Sequence, residues 1–445
     1  MIFNFALILC FLAICPSLAN VVTRKVDHIF SSNVHPCDDF HDFVCNKEGR
    51  GELSPLLKEL KNGFYSRLRN AFIHDDDTIV REFMKIYAGS NASFDVEIPD
   101  YGWNARRKLR VTYTDQTTNV KKEHDLVNIE YYLNLLYAKY IIEKDLNPQT
   151  WKDEMQALFE EVKSEVIDTI RAASWMPTKN KTEIESFLNE KRLHLGLPAQ
   201  LEDVTLINNA IYKVRKRFIQ MKQEWIPGTN CDKNCLLEYY SSFLKTAYEE
   251  SVPHQVAYHL RVLNRYIIQN TFTTCEYGNY SNYLYMSPVL TYQPRSPIAK
   301  ILKYFESTVS MSSLLFDDLQ LNWDKSEGFS CYQNLSSCEP QWYEYQRNVD
   351  IIEGLRLASK IIAKKSAAVK FLESRDEFKS FNFSDLQWFF VQFESIWCQL
   401  DDQPTTEGKE NSPLYIRQSP EFQMAFGCKS GHELYTRQED MCYAL

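Results

Sequence analysis

Apolar residues recur every three to four positions through most of this chain, a pattern that predicts a mainly helical molecule. Leu57, Leu60, Phe64 and Leu68 fall on one face of a helix that Ser54 caps and Pro55 opens. Beyond Thr150, the residues Met155, Leu158, Val162, Val166 and Ile170 keep helical spacing and predict a long amphipathic helix ending near Trp175. Further helices are predicted at 182–193, 253–269, 298–310, 349–365 and 386–397. Strand signals are sparse. Residues 108–114 alternate with β-branched and aromatic types, and 282–292 is rich in Tyr, Val and Leu around Pro288; both predict short edge or hairpin strands. Segments 90–104, 227–234, 324–343 and 401–418 read as loops, and no internal repeat is present.

Residues 1–19 carry no charge, run largely apolar from Ile2 to Ile14, and end Pro16-Ser17-Leu18-Ala19, with small residues where a signal peptidase reads. They predict a secretory leader cleaved after Ala19 and a secreted, extracellular protein. The alternative is an uncleaved signal that anchors the chain, although the run is shorter than the about 20 apolar residues a spanning helix needs. No later stretch predicts a membrane span. Cys10 and Cys15 leave with the leader, and the even number of cysteines that remains predicts disulfides in an oxidising compartment. Sequons at Asn91, Asn180, Asn279, Asn334 and Asn382 agree with export and predict glycosylation. A hydrophobic content of 44% suits a packed globular protein rather than a disordered one, and the formal charge of −9 argues against nucleic acid or an anionic membrane as partner. The densest basic cluster, Lys213 to Arg217, reads as the solvated face of a helix.

Motifs then fall in a particular order. Cys37-Asp38-Asp39-Phe40 through Phe43-Val44-Cys45 matches C-D-D-F-x-x-F/Y-x-C. Ser174-Trp175-Met176 and Leu195-Gly196-Leu197-Pro198 follow, then Tyr277 to Pro288, then Glu353-Gly354-Leu355-Arg356-Leu357-Ala358. Phe389-Phe390 to Trp397-Cys398, Ser412-Pro413 to Arg417, and Glu421-Phe422 to Phe426-Gly427-Cys428 complete the series. This order resembles the neprilysin and endothelin-converting-enzyme family of zinc metallopeptidases. The resemblance implies a mainly α, thermolysin-like neprilysin-type ectodomain with a small β portion. It divides the chain into an N-terminal segment of the body at 20–95, a shortened helical lobe at 96–270 and a degenerate C-terminal metallopeptidase lobe at 271–445. It also implies disulfides Cys37–Cys428, Cys45–Cys398 and Cys331–Cys442. Cys231, Cys235, Cys275 and Cys338 are then left with three connectivities open. The chain is shorter than the family's ectodomain, with the gap near residues 95–130. Either the helical lobe that roofs the cleft is reduced, or coding segments are missing.

A zinc peptidase of this type needs two imidazoles four apart on one helix face, a carboxylate after the first to take a proton from bound water, and a third ligand from another helix. Setting the family's I-G-x-x-x-G-H-E-x-x-H on 298–308 puts Tyr304 and Thr308 at the histidines and Phe305 at the glutamate, with Glu306 and Ser307 between. The third ligand's position holds Arg347, and Ile351 stands where an aspartate would orient a ligand histidine. Asn411 replaces the histidine that stabilises the tetrahedral intermediate. No complete H-E-x-x-H occurs: His254 and His259 are five apart, and His432-Glu433 lacks the second histidine. The resemblance therefore implies no zinc and no other cofactor, although zinc belongs to the active relatives. What survives is binding apparatus: Arg417 matches the arginine that grips a peptide carbonyl, Thr274 and Cys275 replace the residues that hold the substrate backbone, and the 277–288 edge offers strand addition. The expected function is a secreted pseudo-peptidase that binds an extracellular peptide or protein, an active relative included, without cleaving it. The alternatives are a zinc metalloendopeptidase acting on extracellular peptides and a structural scaffold.

Overall fold

The computed structural model describes residues 34–45, 63, 67, 77–86, 91–97, 108–115, 118–126, 130–197, 201–226, 231–268, 283–286, 292–295, 297–319, 331–332, 342–368, 383–395 and 413–443. The fold is mainly α-helical with a small β portion. In chain order, α1 is Phe40–Val44, α2 Thr78–Ile86, β1 Asn91–Glu97, β2 Lys108–Asp115, β3 Val120–Leu126, α3 Glu130–Glu143, α4 Gln149–Ala172 and α5 Thr178–Glu190. Next come β4 Arg192–Leu195, α6 Val204–Glu224, α7 Lys233–Ser251, α8 His254–Ile268, β5 Tyr283–Met286, α9 Pro297–Asp318, α10 Trp342–Ala368 and α11 Asp385–Ser395. A five-residue helix at 413–417, α12, precedes α13 at Pro420–Phe426. Two compact units divide the chain. Unit 1 gathers Met1–Lys61, Asp153–Lys191 and Pro294–Leu445, and unit 2 gathers Asn62–Lys152 and Arg192–Gln293. Each draws on more than one of the linear segments 20–95, 96–270 and 271–445.

Unit 2 is built around α3, α6 and α7. Asp203 caps α6 by accepting from Thr205 N and Leu206 N, and Ile207, Ala210, Ile211, Val214 and Phe218 then bury one helical stripe. Phe83 of α2, Phe218 and Tyr240 of α7 meet as an aromatic trio, with centroids 5.7–6.2 Å apart. Asp77 ties the same elements by charge. One oxygen caps α2 through Ile79 N and Val80 N at 2.8 and 3.0 Å, and the other takes Tyr132 Oη at 2.7 Å and the Arg215 guanidinium. Burial, reinforced by the Asp77 charge, holds the Tyr132 phenol well above its ordinary range. Nearby, the buried Glu82 pairs with Lys85 at 2.6 Å and with Lys222. Burial alone would push its carboxyl up, but the two ammonium groups outweigh that and hold it below its usual range.

Unit 1 centres on the packing of α9 against α10, with α11 laid across both. The two helices touch backbone to backbone at Gly354: a Cβ there would lie 2.7 Å from Ser313 N and 2.8 Å from Ser313 Cα. The ends of the chain are stapled into this unit. Cys37 bonds Cys428 across 391 residues, and Cys331 bonds Cys442. Around the first staple Phe40 of α1 meets Phe422 and Phe426 of α13 edge-on at 4.9 and 5.0 Å, and Leu434 N donates to Cys37 O at 2.8 Å.

Several sequence expectations need correction. Residues 90–104 are not all loop, because β1, β2 and β3 form an antiparallel meander with Phe94 paired to Val111 and Val111 to His124. The stretch near 95–130 thus contains strands within a lobe expected to be helical. The helix expected at 182–193 is α5, which ends at Glu190; Arg192–Leu195 is instead a strand that pairs in parallel with Tyr283–Met286, so the strand expected within 282–292 is an edge strand of a two-stranded sheet rather than part of a hairpin. Helices α9 and α10 run to Asp318 and from Trp342, well beyond 298–310 and 349–365. Helix α12 interrupts the loop expected at 401–418. The Lys213–Arg217 cluster is no plain solvated face: Val214 is buried, Arg215 turns inward to Asp77, and Arg217 pairs with Glu250 at 2.6 Å. The leader 1–19 and most of the helix expected at 57–68 lie outside the described residues.

Candidate functional site

The zinc-motif positions lie on one stretch of α9, and packing has claimed them. Tyr304 Oη accepts from Lys365 Nζ of α10 at 2.5 Å, and the same ammonium pairs with Glu161 of α4 at 2.6 Å. Burial pushes the Tyr304 phenol up, more than Lys365 draws it down, so it keeps its proton. Phe305 is fully buried and meets Phe389 of α11 edge-on at 6.0 Å. Thr308, also fully buried, donates its hydroxyl to Tyr304 O at 2.8 Å, one helical turn back. Between them, Glu306 takes Lys303 Nζ at 3.1 Å and Ser307 is buried. On α10, Ile351 is buried apolar surface. Arg347 belongs to the α10 backbone, while its side chain lies outside the described residues, as do Asn411, Thr274 and Cys275.

These residues do not fit zinc. A neutral phenol under an ammonium, a phenyl ring and a hydroxyl committed to a carbonyl offer neither imidazole nor carboxylate to a divalent ion. Two groupings of metal-capable side chains occur elsewhere among the described residues: His35, Cys37 and His432, and His41, Cys45 and Glu394. Both lose their sulfur, since Cys37 and Cys45 are disulfide-bonded and carry no thiolate. The His35 and His432 rings stack at 4.6 Å, and each Nδ1 accepts a main-chain N–H, from Cys37 at 3.2 Å and from Lys429 at 3.0 Å. His41 Nδ1 lies 2.7 Å from the buried Glu394 carboxylate. Of the remaining histidines, His254 is exposed, and burial lowers His259.

Arg417 stands exposed at the end of α12, and its neighbour Gln418 is buried and locked. Arg356 does the locking. Its Nε donates to Gln418 O at 2.6 Å and its Nη1 to Tyr332 Oη at 3.0 Å and Glu353 Oε1 at 3.1 Å, while its plane lies 4.2 Å from the Tyr443 ring. Gln418 Oε1 accepts from Cys442 N at 2.8 Å, which brings the second staple into the network. The sequence signal for this cluster was Glu353 and Arg356, an i,i+3 charge pair inside an apolar helix run. Of the cysteines left open, Cys231 bonds Cys235. Cys398, the implied partner of the disulfide-bonded Cys45, lies outside the described residues with Cys275 and Cys338. Asn180 is exposed on α5 and Asn91 opens β1; Asn279, Asn334 and Asn382 lie outside the described residues.

No helix among the described residues is long and apolar enough to cross a membrane. No protein-family model matches the chain, and no curated protein matches it. Among solved structures, the zinc metalloprotease ZMP1 of Mycobacterium tuberculosis, in complex with an inhibitor, is similar at 11% identity and a TM-score of 0.45, over 71% of this chain and 50% of that one. PepO from Lactobacillus rhamnosis HN001 is similar at 10% identity and 0.42, over 70% and 50%. This chain thus spans about half the length of either bacterial protein. A chain of the Haemonchus galactose-containing glycoprotein complex is similar at 12% identity and 0.48, over 96% of this chain and 99% of that one.

Proposed function

We propose that the chain is a secreted, neprilysin-like pseudo-peptidase that binds a peptide or protein partner without cutting it. One observation supports this reading above the others. The face of α9 that would meet a metal is spent on the fold, with Phe305 and Thr308 buried and Tyr304 tied through Lys365 to Glu161. Hydrolysis needs a polarised water and a base, and no residue at these positions supplies either. Binding has different requirements. Arg417 is exposed, and its chain neighbour is held by a buried arginine, so its guanidinium is presented from a fixed backbone to a peptide carbonyl or carboxylate.

Metal analysis of the secreted chain together with a quenched-peptide assay tests the proposal. The expected result is well below one zinc per chain and no cleavage that a chelator abolishes. Stoichiometric zinc with chelator-sensitive cleavage would overturn it. Saturable capture of extracellular peptides, weakened by Arg417→Ala, is the expected sign of a binder; capture that this variant leaves unchanged removes Arg417 from the site.

A further inference from the structure

The three disulfides among the described residues are not equally protected. Cys37 and Cys428 are 0% and 8% exposed, and Cys442, partner of Cys331, is 1% exposed within the Arg356–Gln418 network. Cys231 and Cys235, four residues apart, are both half-buried and enclose the exposed Asp232, Lys233 and Asn234. Cys331 is half-buried as well, but its partner Cys442 is sealed, whereas in the Cys231–Cys235 pair both residues are half-buried, so an incoming thiolate, which must approach along the S–S axis, can attack either sulfur. The ring is also too short to restrict the unfolded chain as the long-range staples do, so global stability is not its main effect.

Position adds chemistry to access. Cys235 lies in the first turn of α7, a helix of 19 residues, where main-chain N–H groups favour negative charge on a departing sulfur. Asp232 caps the helix through Cys235 N at 2.9 Å, and its charge opposes that effect. The ring closes the entry to α7. Further along that helix Tyr239, 45% exposed, meets Trp225 at 4.5 Å, and Phe243 meets Trp225 at 5.8 Å.

We propose that Cys231–Cys235 is a thiol–disulfide exchange site whose co-reactant is a low-molecular-weight thiol, and that its opening releases the ring that closes the first turn of α7. In the first step a thiolate attacks Cys231 Sγ, forming a mixed disulfide and expelling the Cys235 thiolate. A second thiolate then attacks the reagent's sulfur in that mixed disulfide and releases the Cys231 thiolate. Two electrons pass from two thiols to the protein, the reagent leaves as its own disulfide, and the cysteine thiolates take up protons from water.

The test treats the native full chain with graded reduced glutathione, quenches with an alkylating reagent and maps the labelled peptides by mass. Cys231 and Cys235 should be labelled about tenfold faster than Cys37, Cys428, Cys331 and Cys442, with a glutathione adduct on Cys231 at early times. Asp232→Asn, which keeps the cap and removes the charge, should speed this labelling about threefold and leave the other pairs unchanged. Labelling of all pairs at one rate, of Cys331–Cys442 first, or only after denaturation would overturn the proposal. An unchanged rate in Asp232→Asn would count against expulsion of the Cys235 thiolate at the α7 terminus and overturn the first step.

Discussion

The buried charges of this protein separate into groups that must stay charged and groups that must stay neutral. Arg356 remains a cation because burial, which pulls it down, is outweighed by Tyr332 and Glu353. Tyr304 and Tyr332 remain neutral because burial pushes both phenols up. Glu82 is the case with a usable pH dependence. Its carboxyl is held below the ordinary range in the folded state, so its contribution is present above the unfolded carboxylate's pKa and is lost as pH falls through the lower folded value. Denaturant titrations at pH 6 and at successively lower pH should show a falling stability in the native chain and a shallower fall in Glu82→Gln. Equal slopes would place the acid sensitivity elsewhere.

At the scale of the elements, the α9–α10 crossing makes the sharpest demand on sequence. Gly354 admits no side chain, because the obstructing atoms are the backbone N and Cα of Ser313 and cannot swing aside. Gly354→Ala should therefore lower stability by about 1–3 kcal/mol through overpacking, read from the urea midpoint, although alanine is the better helix former. A neutral or stabilising result would mean the helices separate more easily than this contact implies. One-sided burial made some elements legible, although α6, which buries the single stripe Ile207, Ala210, Ile211, Val214 and Phe218, was not among the predicted helical ranges. Helix α4, with Met155, Leu158, Val162 and Val166 inward, is visible in the sequence for that reason. Helix α3 is not, since Tyr132, Leu133, Leu135, Leu136, Tyr137, Ala138, Tyr140 and Ile141 are buried around most of its circumference and leave no stripe. Strands β1 and β3 escaped notice because Asn91–Glu97 and Val120–Leu126 carry too many polar and charged residues to stand out, and their pairing with β2 is a tertiary fact. The candidate site was legible in a different way. Motif order located Tyr304, Phe305 and Thr308 on one helix, but nothing local announced Lys365 and Glu161 as their neighbours, 61 and more than a hundred residues away.

For the whole molecule, the Cys37–Cys428 staple closes the longest loop among the described disulfides and constrains the unfolded state most of the three. Replacing Cys37 and Cys428 together by serine should cost on the order of 3–5 kcal/mol, since the bond closes a loop spanning most of the chain. Chemical denaturation of the double variant checks this. A loss below about 1 kcal/mol would show that the packing of Phe40 on Phe422 and Phe426, together with the bond that Cys45 keeps, suffices to hold the ends.

That same spacing sets a timetable during synthesis. At about 5–20 residues per second, the ribosome delivers Cys428 roughly 20–80 s after Cys37. Cys231 and Cys235 emerge in the interval and can close their small ring almost at once. Among the described disulfides, Cys37 is therefore the thiol that waits longest for its partner, and correct folding of this chain requires that Cys37 be shielded or its early mistakes be undone.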